Sequence, residues 1–347
     1  MPQIGKRKLD KLAASLEEDL AKKAKGLTQA EIEALDPQLF TLAPYDAGGA
    51  DRTGYSNYSY WRSTLRIFWR NKVARLLIIL LGIMLLFTFI QPFLPNQKDP
   101  TEIFYNEETG MPLSNKQPGE VEGFILGTNN LGQDLWSRTW YATRTSLFIG
   151  FVVALSECII GITVGVLWGY VRRLDQFLTS AYNIVDNVPR TIILILISYI
   201  LRPSMSTIIL SMCLVGWLKM ARYVRNQVVI IRDRDYNLAS RCLGSSTPRI
   251  VYRNLLPYLV SIIMLRAALA VPTAITDEVF LTYIGLGLPV YTPSLGTLII
   301  AGKALMTTPS LSYQLIIPCV ALSFVTVCFY VIGNAFADAA DPKNHVS

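Results

Sequence analysis

The sequence predicts an all-α, polytopic membrane protein, a bundle of six transmembrane helices with both termini in the cytoplasm. Three observations carry that expectation. Of the 347 residues, 52% are hydrophobic and only 16% charged, whereas a soluble domain carries about a quarter charged. The charges crowd into residues 1–75 and 219–253, and long apolar runs fill most of the remainder. Basic loops alternate with an acidic one along the chain, as the positive-inside rule requires.

Crossing the hydrocarbon core takes about 20 apolar residues. Residues 76–97, "LLIILLGIMLLFTFIQPFLPNQ", are free of charge and form the clearest span. The second, residues 146–170, holds Glu157; the third, residues 176–201, is interrupted by Asp186 and Arg190. Residues 206–224 form the fourth, and about 257–284, with Arg266, Asp277 and Glu278, the fifth. Residues 313–335 form the sixth. The chain thus divides into a cytoplasmic N-terminal segment 1–72, a transmembrane domain 73–335 and a tail 336–347.

An N-terminus inside places Arg172, Arg173, Arg222, Arg225, Arg232, Arg234, Arg241, Arg249, Arg253 and Lys343 in the cytoplasm. The loop at about 95–145 is then outside. Between Pro95 and Trp140 it has seven acids against the bases Lys98, Lys116 and Arg138. A cleavable signal peptide would set its apolar core within roughly the first 30 residues, so none is expected.

Ahead of the first span, Leu9, Leu12, Leu16 and Leu20 share a helical face, and Thr28 to Glu31 read as a capping box. In "YWRSTLRIFWRNKVAR", Arg62, Arg66 and Arg70 run beside a stripe of Trp61, Leu65 and Trp69. That pattern is a basic amphipathic helix lying in the plane of the lipid interface. The formal charge of +7 is accounted for by the membrane, with no nucleic-acid partner. Cys158, Cys213, Cys242, Cys319 and Cys328 contain no CxxC pair and read as buried thiols. His345 is the only histidine, which argues against a zinc site or a histidine relay.

The stretch "RDYNLASRCLGSSTPRIVYRNLLP", Arg234 to Pro257, is polar and basic between greasy neighbours. Asp235 can cap a helix of about two turns, Gly244 suits a left-handed C-cap, and Ser246 or Thr247 with Pro248 restarts the chain. The short helix would show Tyr236, Leu238, Ala239 and Leu243 beside Arg234 and Arg241. Apolar groups rimmed by cations suit insertion into a groove of another protein.

This segment resembles the "EAA" loop of permease subunits of ATP-binding cassette (ABC) importers, with Leu238-Ala239-Ser240, then Gly244, then Leu256-Pro257. "LGTNNLGQDLWSRTWYATRTSLFIG" (126–150), "FLTYIGLGLPVYTPSLGTLI" (280–299) and "ADAADPKNH" (337–345) are similar to further motifs of the oligopeptide/dipeptide C-type permeases. The resemblance runs from about Trp61 to the end. It implies a type I importer fold in which residues 231–256 form a coupling segment. Arg234, Asp235, Tyr236, Asn237, Leu238, Ala239, Ser240, Arg241, Leu243 and Gly244 would be its ATPase-coupling residues. It also implies a B-type permease partner, two ABC ATPases, an extracytoplasmic peptide-binding protein and an oligopeptide substrate. This chain would bind no cofactor, with ATP and magnesium on the ATPases. Two departures stand out: Leu238 replaces the usual Glu, which shifts docking toward apolar contact, and Gln133 stands where Arg is common.

No nucleotide site is visible. "GTLIIAGKA", Gly296 to Ala304, has one residue too many for GxxxxGK[ST], lacks the Ser or Thr, and falls in an expected outer loop. Glu157, Asp186, Arg190 and Arg266 would lie inside the bilayer, where an isolated charge costs at least about 2.5–3.5 kcal/mol. The spacing predicts an Asp186–Arg190 pair one turn apart and a Glu157–Arg266 pair across two spans, or else a lining for the peptide path. Asp277 and Glu278 precede "IGLGLP" as two wet acids at a helix end or as substrate contacts. Import of another solute, such as a nickel chelate or glycoside, fits the same machinery. A gradient-driven carrier would be expected to show duplicated halves, and a membrane enzyme a nucleophile–base set; neither is visible.

Overall fold

The computed structural model describes residues 60–340. The Leu9–Leu20 stripe, the Thr28–Glu31 box and the end of the tail motif lie outside them. The described chain is helical: α1 (Tyr60–Arg70), α2 (Lys72–Ile90), α3 (Leu135–Tyr170), α4 (Arg172–Asp186), α5 (Arg190–Leu201), α6 (Met205–Arg232), α7 (Asp235–Cys242), α8 (Thr247–Ile250), α9 (Leu256–Tyr283), α10 (Leu295–Ala304) and α11 (Tyr313–Ala340). Helices α2 (with the turn that continues it to Phe93), α3, α6 and α11 are each long and apolar enough to cross a membrane; two bent pairs would bring the number to six.

The bends correct the expected third and fifth spans. Residues 176–201 are not one helix: α4 and α5 meet at 77° across Asn187–Pro189. Pro189 removes an N–H donor and forces the break. The fifth span enters through a π-turn, Val251–Leu255, and Thr247–Val260 bends by 62° from Ile263–Tyr283. Residues 295–304, expected in a loop, form α10 instead. Its start is fixed by a capping box in which the Ser294 hydroxyl accepts from the Thr297 N–H and Thr297 closes back on the Ser294 N–H.

The tightest seam lies between α3 and α6. Gly161, Gly165 and Gly169 recur every four residues on α3, and a Cβ at each would come within 3 Å of α6 atoms, 2.6 Å from the Met220 Cβ at Gly161. Small residues at this spacing let two backbones touch, which replaces the hydrophobic drive that lipid does not supply. Val166, Met220, Val224, Val228 and Ile231 pack beside the seam.

Helix α1, expected in the lipid interface, packs one face against the protein. Its Phe68 is buried against Ala74, Ala335 and Ala339, with Phe336 tilted over it at 5.6 Å, while Leu65 and Trp69 face outward. The cysteines also differ from expectation. All five are free thiols, but only Cys328 is buried and Cys242 is exposed.

The segment between α2 and α3 folds as a compact cap. Lys98 sits 2.9 Å above the Phe124 ring centre and donates to the Gly123 carbonyl. Its burial lowers the ammonium pKa, while Asp134 pulls it back up. Gln133 donates to Thr101 O at 2.8 Å and Arg138 to Pro100 O at 2.8 Å. At the start of α11, the Tyr313 hydroxyl lies 2.8 Å from Lys116 O and 3.0 Å from Thr128 O, and Gln314 donates to Asn115 Oδ1.

Candidate functional site

The coupling segment is built on the end of α6. The helix stops at Arg232 and the chain turns through Asp233 and an extended Arg234 into α7. Arg234, not Asp235, occupies the N-cap, and no side chain caps there. Asp235 falls in the first turn, where its charge suits the positive end of the helix dipole. At the other end Gly244 has φ +76°, its N–H donates to Arg241 O, and Ser245 N–H reaches Ser240 O at 3.0 Å. This pair of bonds is a Schellman closure, which a left-handed glycine permits.

One side of α7 is riveted to the protein. Asn237 is fully buried; its amide donates to Ile231 O at 2.9 Å, and its Oδ1 accepts from Asn254 Nδ2 at 2.9 Å. The same Asn254 amide reaches Ser240 Oγ at 3.4 Å, and the Ser240 hydroxyl donates to Tyr236 O. Arg241 folds back too. It donates to Arg232 O, lies 3.8 Å from Asp233 and stacks over Tyr170 at 5.1 Å. Arg232 in turn donates to Gly169 O at 2.5 Å, so the foot of α3 shares the mount. The other side is open: Tyr236 is 48% exposed, Leu238 43% and Leu243 86%, with Ala239 and Arg234 beside them. The expected docking set therefore divides. Asn237, Ser240 and Arg241 hold the helix, while Arg234, Tyr236, Leu238, Ala239 and Leu243 present a surface.

The second feature is a charge centre where α3, α5 and α9 meet. Arg190, first residue of α5, lies 3.1 Å from Glu157 on α3 and 3.1 Å from Asp277 on α9. The three side chains are 15%, 11% and 20% exposed. An arginine at a helix N-terminus meets the positive end of the dipole; two carboxylates offset that repulsion and remove the cost of a buried unpaired charge. Gly216 on α6 makes room, since a Cβ there would collide with the Glu157 carboxylate.

Both expected pairs are corrected by this geometry. Asp186 ends α4 and is separated from Arg190 by the break; it lies beside the Tyr182 hydroxyl instead. Arg266 shares a cavity with Glu157, but its guanidinium stacks on Tyr223 at 4.1 Å and makes no ion pair among the described residues. Asp277 and Glu278 are not wet acids. Glu278 is fully buried and accepts from the hydroxyls of Ser146, Thr282 and Ser294 at 3.0, 3.0 and 2.8 Å. Ser146 also accepts from Leu295 N–H, so one carboxyl joins α3, α9 and the start of α10. Sequence reasoning missed Asn254 as the anchor and the Gly161–Gly165–Gly169 ladder, whose four-residue spacing was legible.

Comparison with known proteins assigns this architecture. The family described as "Binding-protein-dependent transport system inner membrane component" matches residues 161–346, and "N-terminal TM domain of oligopeptide transport permease C" matches residues 59–118. The oligopeptide transport system permease protein AmiD of Streptococcus pneumoniae is 31% identical over 90% of this chain and all of its own. The dipeptide transport system permease protein DppC of Bacillus subtilis is 33% identical over 85% of this chain and 89% of its own. Among solved structures, the inward-facing MetNI methionine ABC transporter aligns with 58% of this chain and 96% of its own, at 18% identity and a TM-score of 0.47. A family match over more than half the chain and full-length relatives above 30% identity place this chain among the multi-pass permease components of ABC oligopeptide and dipeptide transporters, in the C-type group.

Proposed function

We propose that this chain is one half of the pore of an importer that moves oligopeptides inward across the cytoplasmic membrane, driven by ATP hydrolysis on separate ATPase subunits. The observation that supports this most is the division of α7 into an anchored side and an open apolar side. A helix of eight residues, rigidly mounted between two spans and bearing exposed Tyr236, Leu238 and Leu243, is suited to receive force from a protein that grips it. Arg241 belongs to the mount; Arg234 is the cation left on the gripping side.

In this reading the chain crosses the membrane six times, each bent pair counting as one span, with both termini inside. The outer cap on residues 95–134 then faces a peptide-loaded binding protein. A B-type permease supplies the second half of the pore and the second coupling helix. ATP and magnesium sit on the two ATPases, and this chain performs no chemistry.

Affinity purification of this subunit from its native membrane in mild detergent, with partners identified by mass spectrometry, tests the reading. Recovery of a second permease and ATPases, with ATP hydrolysis raised by a peptide-loaded binding protein, is expected. Recovery of this chain alone, moving solute in liposomes without ATP, would overturn it.

A further inference from the structure

Two further cations stand beside the charge centre. Arg190 is occupied by Glu157 and Asp277. Lys219 on α6 and Arg266 on α9 line the same cavity of about 110 Å³, together with Glu157, Arg190, Gly216 and Thr273. Lys219 also lines a neighbouring cavity of about 200 Å³ beside Asp186, Pro189 and Tyr182. Both Lys219 and Arg266 are exposed on this chain, and neither has a carboxylate within ion-pair distance among the described residues. Asp186 in the second cavity lies beside Tyr182, over whose ring Arg222 also stacks at 5.0 Å.

Two exposed cations within membrane-spanning helices cannot face lipid, where each would cost at least about 2.5–3.5 kcal/mol; such groups face a water-filled path or a partner charge. The break at Asn187–Pro189 opens backbone at the same place, and broken helices inside membranes are tolerated where they line a cavity. The floor, Glu157–Arg190–Asp277, carries one net negative charge, and the rim, Lys219 and Arg266, carries two positive ones, so the site as a whole is left with one positive charge. The first cavity has room for a hydrated carboxylate but not for a whole peptide, so it takes one end of a substrate.

We propose that Lys219 and Arg266 form a transit subsite for the α-carboxylate of the peptide as it passes through the pore. This rests on the peptide-import reading above. The subsite recognises what every free peptide shares and ignores its side chains. Arg190, paired with both acids, holds the floor rigid, and the rim supplies the excess positive charge.

The test uses the assembled transporter in proteoliposomes with ATP and its binding protein, and compares uptake of tetra-alanine with its C-terminal amide, each saturating the binding protein. Lys219→Met and Arg266→Met should each lower uptake of the free acid about tenfold and leave the amide unchanged, and Lys219→Arg should restore the free acid. Equal loss for both peptides, or no loss for either, would overturn the subsite. Loss of co-purifying permease in Lys219→Met would overturn it too, because the lysine would then be pairing with the partner. Absence of ATP-driven uptake of either peptide by the wild-type transporter would instead remove the import reading itself.

Discussion

The Asn254 side-chain amide donates to the Asn237 side-chain oxygen at 2.9 Å, and this contact joins α7 to the π-turn that leads into α9. Asn237 is fully buried and spends its own amide on Ile231 O. Two asparagines thus fix the angle at which α7 leaves the bundle. Asn237→Ala removes both side-chain hydrogen bonds that mount the helix, to Ile231 O and from the Asn254 amide, each worth about 0.5–1.5 kcal/mol. The expected outcome is faster amide exchange across residues 235–244 and ATP hydrolysis that no longer drives uptake. Unchanged exchange would show that the mount lies elsewhere.

Gly244 offers a separate handle on the same helix. A valine there would have to hold φ near +76°, at a cost of roughly 1–2 kcal/mol. Space is not the obstacle, since nothing lies within 4 Å of its Cβ position. Gly244→Val should insert normally, as surface labelling would show, and lose most peptide uptake. Gly244→Asn, which tolerates the left-handed region better, should recover part of it.

The α3–α6 seam predicts a contrast between two glycines. At Gly165 a Cβ would stand 2.8 Å from the Val224 Cβ, whereas at Gly82 nothing lies within 4 Å. Gly165→Leu should abolish recovery of monodisperse protein in mild detergent, and Gly82→Leu should leave it intact. Equal behaviour of the two variants on size-exclusion chromatography would dismiss the ladder as a packing device.

For the charge centre, removal of one partner differs from removal of two. Arg190→Met removes the one cation paired with both Glu157 and Asp277, and breaking a buried pair costs about 3–5 kcal/mol. Its thermal unfolding midpoint in detergent should fall well below wild type. Combining Arg190→Met with Glu157→Gln and Asp277→Asn should return most of that loss. The swap of Glu157 to Arg with Arg266 to Glu should rescue nothing, because Arg266 stacks on Tyr223 rather than pairing with Glu157.

Four of the six expected spans were legible because hydrocarbon demands a long, nearly charge-free stretch that composition displays directly. The end of α7 was legible because Gly244 and Pro248 leave the backbone few choices there, whereas its N-cap falls one residue before the expected Asp235. What escaped was whatever depends on residues distant in sequence. Asp186 and Arg190 have the right spacing for an intrahelical pair, yet Pro189 breaks the helix between them and Arg190 finds acids 33 residues before and 87 after it in the sequence. Glu278 gave no sign of its burial, since the hydroxyls that satisfy it come from Ser146 and Ser294 on other helices. The anchored and open sides of α7 could not be separated because Asn254, seventeen residues past Asn237, chooses which side faces inward.

The glycine ladder has a mechanical consequence. A joint filled with long side chains has backlash: rotamers hop and absorb small displacements before the backbone follows. Where α3 meets α6 there is no such cushion, because backbone bears on backbone and on the Cβ atoms of Met220 and Val224. Arg232 clamps the same joint at Gly169, one residue before α3 ends. A displacement at the C-terminal end of α6 therefore passes to α3 across this joint with almost no lost motion.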